Sequence, residues 1–135
     1  MVKTRIAYAA ILSLATVSGA QAAGDIPIPN LVGTWSGKND TIGDIFGMRT
    51  RERTVHITEQ TDRRFRGYFT YEGGRKDFFG IVFPDDTSFA WVSPTSKGEV
   101  HGRILAADHI AACYVEGGEE ATAGCSDLKR TDSKP

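Results

Sequence analysis

Along most of the chain apolar residues recur at spacing two rather than at three and four. That is the period of an extended strand with one buried face. Val55 and Ile57 alternate with Thr54, His56 and Thr58. Phe65, Gly67, Phe69 and Tyr71 alternate with Arg64, Arg66, Tyr68 and Thr70. Phe79, Ile81 and Phe83 interleave with Phe78, Gly80 and Val82, which fits a strand covered on both faces. Phe89 and Trp91 follow, then Val100, Gly102 and Ile104, then Ile110, Ala112 and Tyr114, and last a strand near Cys125 to Arg130. Turn signals separate these runs: Thr61-Asp62, Gly73-Gly74, Pro84-Asp85-Asp86, the stretch from Pro94 to Gly98, Ala107-Asp108 and Gly117-Gly118. With Leu31 to Gly37 as the first strand the pattern predicts eight strands joined mostly by hairpins. Eight antiparallel strands close an up-and-down barrel whose interior holds side chains or one small ligand. An open sandwich is the alternative.

The ends of the chain read differently. Lys3 and Arg5 precede an apolar stretch from Ile6 to Val17, and Ala20-Gln21-Ala22 is a small-x-small cleavage site. This is the layout of a secretory signal peptide over residues 1–22, of bacterial style. The apolar run is about 12 residues, against the ~20 that a membrane span needs. The mature chain is then expected in the periplasm or medium, with no membrane insertion after cleavage. Residues 23–30 carry Pro27 and Pro29, which exclude a helix and predict an extended lead-in. Residues 31–130 make one barrel domain, and residues 131–135 are expected to be a disordered tail.

Composition narrows the function classes. The 135 residues are 40% hydrophobic, with 16 Lys plus Arg and 17 Asp plus Glu. Cleavage after Ala22 leaves 113 residues, with 14 basic residues against 17 acidic and a net charge of -3. Collagen and a polytopic membrane protein are excluded. Nucleic-acid binding driven by positive charge is not expected, because there is no excess to release counterions. The two cysteines, Cys113 and Cys125, lie in the exported part, where a disulfide is expected. A hairpin folded about residue 119 sets them opposite each other.

The opening Leu31-Val32-Gly33-Thr34-Trp35, with its Gly-x-Trp, and the Gly-broken run from Phe65 to Tyr71 resemble the calycin superfamily of lipocalins, fatty-acid-binding proteins and avidins. The resemblance implies that Trp35 packs across the closed end of the barrel. The later residues, from Gly102-Arg103-Ile104-Leu105 through Cys113-Tyr114 to Cys125 and Arg130, are similar to a group of small exported proteobacterial proteins. That likeness supports the barrel and the disulfide and implies no activity. The polar biotin contacts and tryptophan set of avidins have no match, so biotin binding does not carry over.

No nucleophile elbow, HExxH, P-loop or dinucleotide fingerprint occurs, so no catalytic residue, metal ligand or cofactor is assigned and the chain is not expected to be an enzyme. His56 and His101 fall on the parity opposite the apolar faces and read as solvated. Asn39-Asp40-Thr41 matches a glycosylation sequon, of no weight in a bacterial protein. The informative feature is Arg49, Arg51 and Arg53, which share parity with Val55 and Ile57. One continuous strand sends all five side chains to the same face, into the barrel mouth opposite Trp35. A bulge near Glu52 would instead turn the arginines outward. Residues 49–76 hold eight of the 14 mature basic residues and four acids, so the rest of the mature chain is near -7. Two functions follow. The first is a small exported binding protein for a small amphipathic or anionic ligand, with Arg49, Arg51 and Arg53 for the acid and Phe69, Tyr71 and Trp91 as walls. The second is a periplasmic protein-interaction module, an inhibitor or assembly factor, acting on a protein partner through residues 38–48. That connection is apolar at Ile42, Ile45, Phe46 and Met48, and its other role would be a lid over the mouth.

Overall fold

The computed structural model describes residues 26–132. Eight strands follow in chain order: β1 Gly33–Gly43, β2 Gly47–Thr61, β3 Arg64–Tyr71, β4 Gly74–Val82, β5 Ser88–Val92, β6 Glu99–Ala106, β7 His109–Glu116 and β8 Thr122–Arg130. Each pairs antiparallel with its sequence neighbours, and β8 returns to β1, closing the barrel. The fold is thus the all-β up-and-down barrel predicted from the alternation, not the open sandwich. The export signal expected over residues 1–22 lies outside the described residues.

One set of parities fills the lower barrel: Trp35, Val55 and Ile57, Phe65, Phe78 and Val82, Phe89 and Trp91, Val100, Ile110 and Ala112, and Leu128 form the buried cluster. Leu31 belongs to it too, but it lies before β1 as a plug, not within a first strand running over 31–37. Gln60 straps this lead-in across the closed end. Its carbonyl accepts from Leu31 N at 2.9 Å, and its amide donates to Pro29 O at 2.9 Å. Trp35 donates Nε1–H to Leu31 O at 2.9 Å, and the Arg130 guanidinium lies 4.2 Å over its ring. Arg130 also donates to the carbonyls of Val32, Asn30 and Ala107, tying the lead-in and the β6–β7 turn to the last strand beside the tryptophan. Trp35 is thus fully buried at the end of the barrel that the lead-in crosses. Phe65 meets Phe78, Phe89 and Trp91 edge-on, while Trp91 is stacked between Phe78 and Phe89. Gly102 pairs with Phe89, and a β-carbon there would overlap the phenyl ring. That close approach is why an apolar strand carries glycine at its buried centre.

Three expectations are corrected. Residues 38–48 are not a loop: β1 and β2 stay paired from Gly33–Ile57 up to Gly43–Gly47, leaving only residues 44–46 as a turn. Gly47 takes φ +68°, the left-handed conformation that a tight turn needs. The outer face of β4 is not covered, since Phe79 and Ile81 are exposed, with Val92 beside Phe79 on β5. The tail is not free at its start. Thr131 N donates to Thr34 O at 2.8 Å, and Thr34 N donates to the Asp132 carboxylate at 2.7 Å.

Cys113 and Cys125 face each other in register on β7 and β8 and are disulfide-bonded, on the outside of the barrel. The bond closes a loop of about 13 residues, which by chain entropy contributes roughly 3 kcal/mol. Reduction is expected to lower the midpoint of urea unfolding accordingly without opening the barrel. An unchanged midpoint after reduction, with both thiols titrated, would refute a stabilising bond.

Candidate functional site

The upper half of the barrel is hollow. A cavity of about 490 Å³ opens at the end opposite Trp35, within the size range of small-molecule sites. Its rim is oblique. The β1–β2 hairpin rises to Gly43 and Gly47, whereas β4 and β5 pair only from Val82–Phe89 to Phe79–Val92. The loop from Ser93 to Gly98 completes the low side, where Lys76 Nζ donates to Ser96 Oγ at 3.0 Å.

Arg49, Arg51 and Arg53 all line this cavity, together with Phe69, Tyr71 and Trp91. The one irregularity in the β2–β3 ladder falls between Ile57 and Glu59, beyond the arginines, so parity holds from Arg49 to Ile57. The six sequence-derived positions therefore meet at one place. Their exposures differ with depth. Arg49 and Arg51 are exposed at the rim, Arg53 is half-buried, and Trp91 is buried near the floor. Arg53 lies 4.8 Å over the Phe69 ring, and Arg49 lies 4.3 Å over Phe46. Among the described residues, no carboxylate lies within 4.0 Å of Arg49, Arg51 or Arg53, although six ion pairs form elsewhere. Desolvation by burial lowers the pKa of Arg53 from its ordinary value. A guanidinium in that position still carries its charge, and its partner must come from water or from a ligand.

Alternation alone does not single out the other polar groups of the cavity. Asn39 and Ser126 are paired in register and both are buried. Ser126 Oγ donates to Asn39 Oδ1 at 2.7 Å. Asn39 is also the register partner of Arg51 on its other side. Because Asn39 faces inward, the sequon match is inaccessible in the folded chain. Across the mouth Tyr114 donates its hydroxyl to Glu116, and burial first, then this contact, raises the tyrosine pKa. The apolar hairpin residues divide. Ile45 and Phe46 border the cavity, while Ile42 and Met48 point outward. None of the three histidines lines the cavity: His56 stacks on Tyr68, His101 bonds Glu99 and His109 bonds Asp127.

No protein-family model matches the chain, and no curated protein does either. Solved structures do. A protein of unknown function from the DUF3598 family of Nostoc punctiforme aligns with TM-score 0.60 at 14% identity, over 78% of this chain and 50% of that one. The chain thus spans half the length of that protein. This likeness supports a small β-barrel fold for the chain. An S-type phycobiliprotein lyase from Guillardia theta aligns at TM-score 0.48 and 12% identity, over 77% of this chain and 90% of that one. A redesigned β-barrel bound to DFHBI aligns at 0.45 and 17% identity, over 74% and 98%. At such identities the likeness is one of fold, and the residues of the cavity carry the functional argument.

Proposed function

We propose that this protein is an exported carrier of a small amphipathic anion, held in the barrel mouth. The observation that carries the reading is the hollow upper barrel with three arginines on one wall and no carboxylate within ion-pair distance of them among the described residues. The order of groups with depth favours an amphiphile. The floor is Val55, Phe69, Trp91, Val100, Ala112 and Leu128, and the charged groups lie above it. An apolar tail enters first, loses its contact with water on the floor, and leaves its acid group at Arg53 and Arg51. The low side at Lys76, Ser93 and Ser96 is the entry, facing the arginine wall.

Titration of a fluorescent fatty acid into the purified protein tests this. One site per chain is expected, with affinity falling as ionic strength rises because the rim charges are solvated. No saturable binding would end the carrier reading. A protein-interaction role is the second reading, favoured by one observation: Met48, Ile42, Ala123 and Val115 form an exposed apolar strip across β2, β1, β8 and β7, outside the cavity. Such strips mark partner surfaces on many barrels and sandwiches.

A further inference from the structure

Resting on the carrier reading, we infer that the head-group site is built for a phosphomonoester on an apolar tail rather than for a simple carboxylate, and that Asn39 is the residue that sets this preference. The first observation is the number of donors. A carboxylate has two oxygens and is satisfied by one guanidinium in a bidentate pair. Arg51 and Arg53 sit two residues apart on one strand, roughly 7 Å between Cα atoms. Both side chains reach the cavity, and Arg49 continues the row. Three arginines on one wall exceed what one carboxylate uses, whereas a phosphomonoester offers three acceptor oxygens and nearly two charges.

The second observation is Asn39 itself. Its side chain is only 7% exposed, yet it lines the cavity. Its oxygen accepts from Ser126, which fixes the amide and leaves Nδ2 as a pure donor. Among the described residues Nδ2 has no hydrogen-bond partner, and no such side-chain atom is sealed from the cavity without one. Register places Asn39 beside Arg51 on β2 and beside Ser126 on β8. The arginine side of the cavity thus presents amide and guanidinium donors and no carboxylate, while the acidic lining residues are Glu116, which accepts from Tyr114, and Glu120. That donor set recognises an oxyanion with several oxygens. The apolar floor below it asks for a tail, so the ligand is an alkyl phosphomonoester and not free phosphate.

Isothermal titration calorimetry at pH 8 with decyl phosphate, decanoate and inorganic phosphate separates the cases on the unaltered protein, below micellar concentrations. Decyl phosphate is expected to bind at least tenfold tighter than decanoate, and inorganic phosphate at least a hundredfold more weakly than decyl phosphate. Decanoate binding as tightly as decyl phosphate would overturn the head-group inference and leave the carrier reading standing. Inorganic phosphate binding as tightly as decyl phosphate would remove the role of the tail and overturn both. Absence of binding by all three would end the carrier reading itself, and this inference with it. Asn39→Asp keeps the shape and the bond from Ser126 but replaces the donor by a carboxylate. It is expected to weaken decyl phosphate binding at least tenfold with an unchanged or higher melting temperature. Unchanged affinity in that variant would remove Asn39 from the site and overturn its assignment.

Discussion

Arg51→Ala with Arg53→Ala is expected to weaken binding of an anionic amphiphile by roughly 30- to 150-fold, about 2–3 kcal/mol, while the fold keeps its stability. Most of this loss belongs to Arg53. It is half-buried over Phe69, where a charge-assisted hydrogen bond competes with little water. Arg51 is exposed, and its share is discounted for solvent screening. The comparison pair is Arg64→Ala with Arg66→Ala. Those two arginines lie outside the barrel, each within ion-pair distance of a carboxylate, Asp62 and Glu59 respectively. They carry the same charge as the mouth pair, so a general electrostatic effect would appear equally in both variants. Fluorescence titration at moderate salt reads the difference. Equal losses would show that the arginines act through the overall field and not through contact. Stability gives a second, opposite sign. Arg51 and Arg53 have no carboxylate within 4.0 Å among the described residues, and burial of Arg53 costs free energy without a protein partner. Their removal is therefore expected to leave the melting temperature unchanged or to raise it, as is common where a site is kept for a ligand.

The same physics explains which parts of this molecule are legible in its sequence. Where a strand separates an apolar core from water, every second residue reports its face, and β3, β6 and the lower half of β2 are plain from alternation. The arginines at 49, 51 and 53 could be placed because Val55 and Ile57 set the parity and no bulge intervenes. Alternation fails where both faces are wet. Residues 38–43 read as a loop because their inward positions, Asn39 and Thr41, face a polar cavity while Lys38 and Asp40 face solvent. The upper half of β1 therefore has no inward apolar side chain to set its period, its one large apolar residue, Ile42, facing outward. Asn39 and Ser126 are hidden for the same reason, since a buried polar residue on a strand looks like a surface one until the register is known. Phe79 and Ile81 mislead in the other direction. They are apolar on an outer face, and periodicity cannot tell an exposed hydrophobe from a covered one. The role of Arg130 is long-range: it reaches Trp35 because β8 closes on β1, and nothing local in the last strand announces it.

Trp35→Ala is expected to cost about 3–5 kcal/mol, a large part of the ~5–15 kcal/mol that holds a domain of this size. The side chain is fully buried and forms the floor on which the lead-in rests. Its loss opens a void below Val55, frees the Leu31 carbonyl from its only side-chain donor among the described residues, and leaves Arg130 without a ring to cover. Arg130→Ala alone is expected to cost less, because the stack is partly solvated and such pairs contribute about 0.5–1 kcal/mol beyond the lost hydrogen bonds. The two changes share one contact, so the double variant should be less unstable than the sum of the singles, and urea unfolding of all four proteins measures that coupling. Strict additivity would mean that the guanidinium and the indole do not support each other. Trp35 does not line the cavity, so folded Trp35→Ala protein should still bind the amphiphile with an affinity close to that of the parent. A variant that stays folded yet no longer binds would show that the closed end shapes the mouth, and that the lower barrel is not a passive base for the arginine wall.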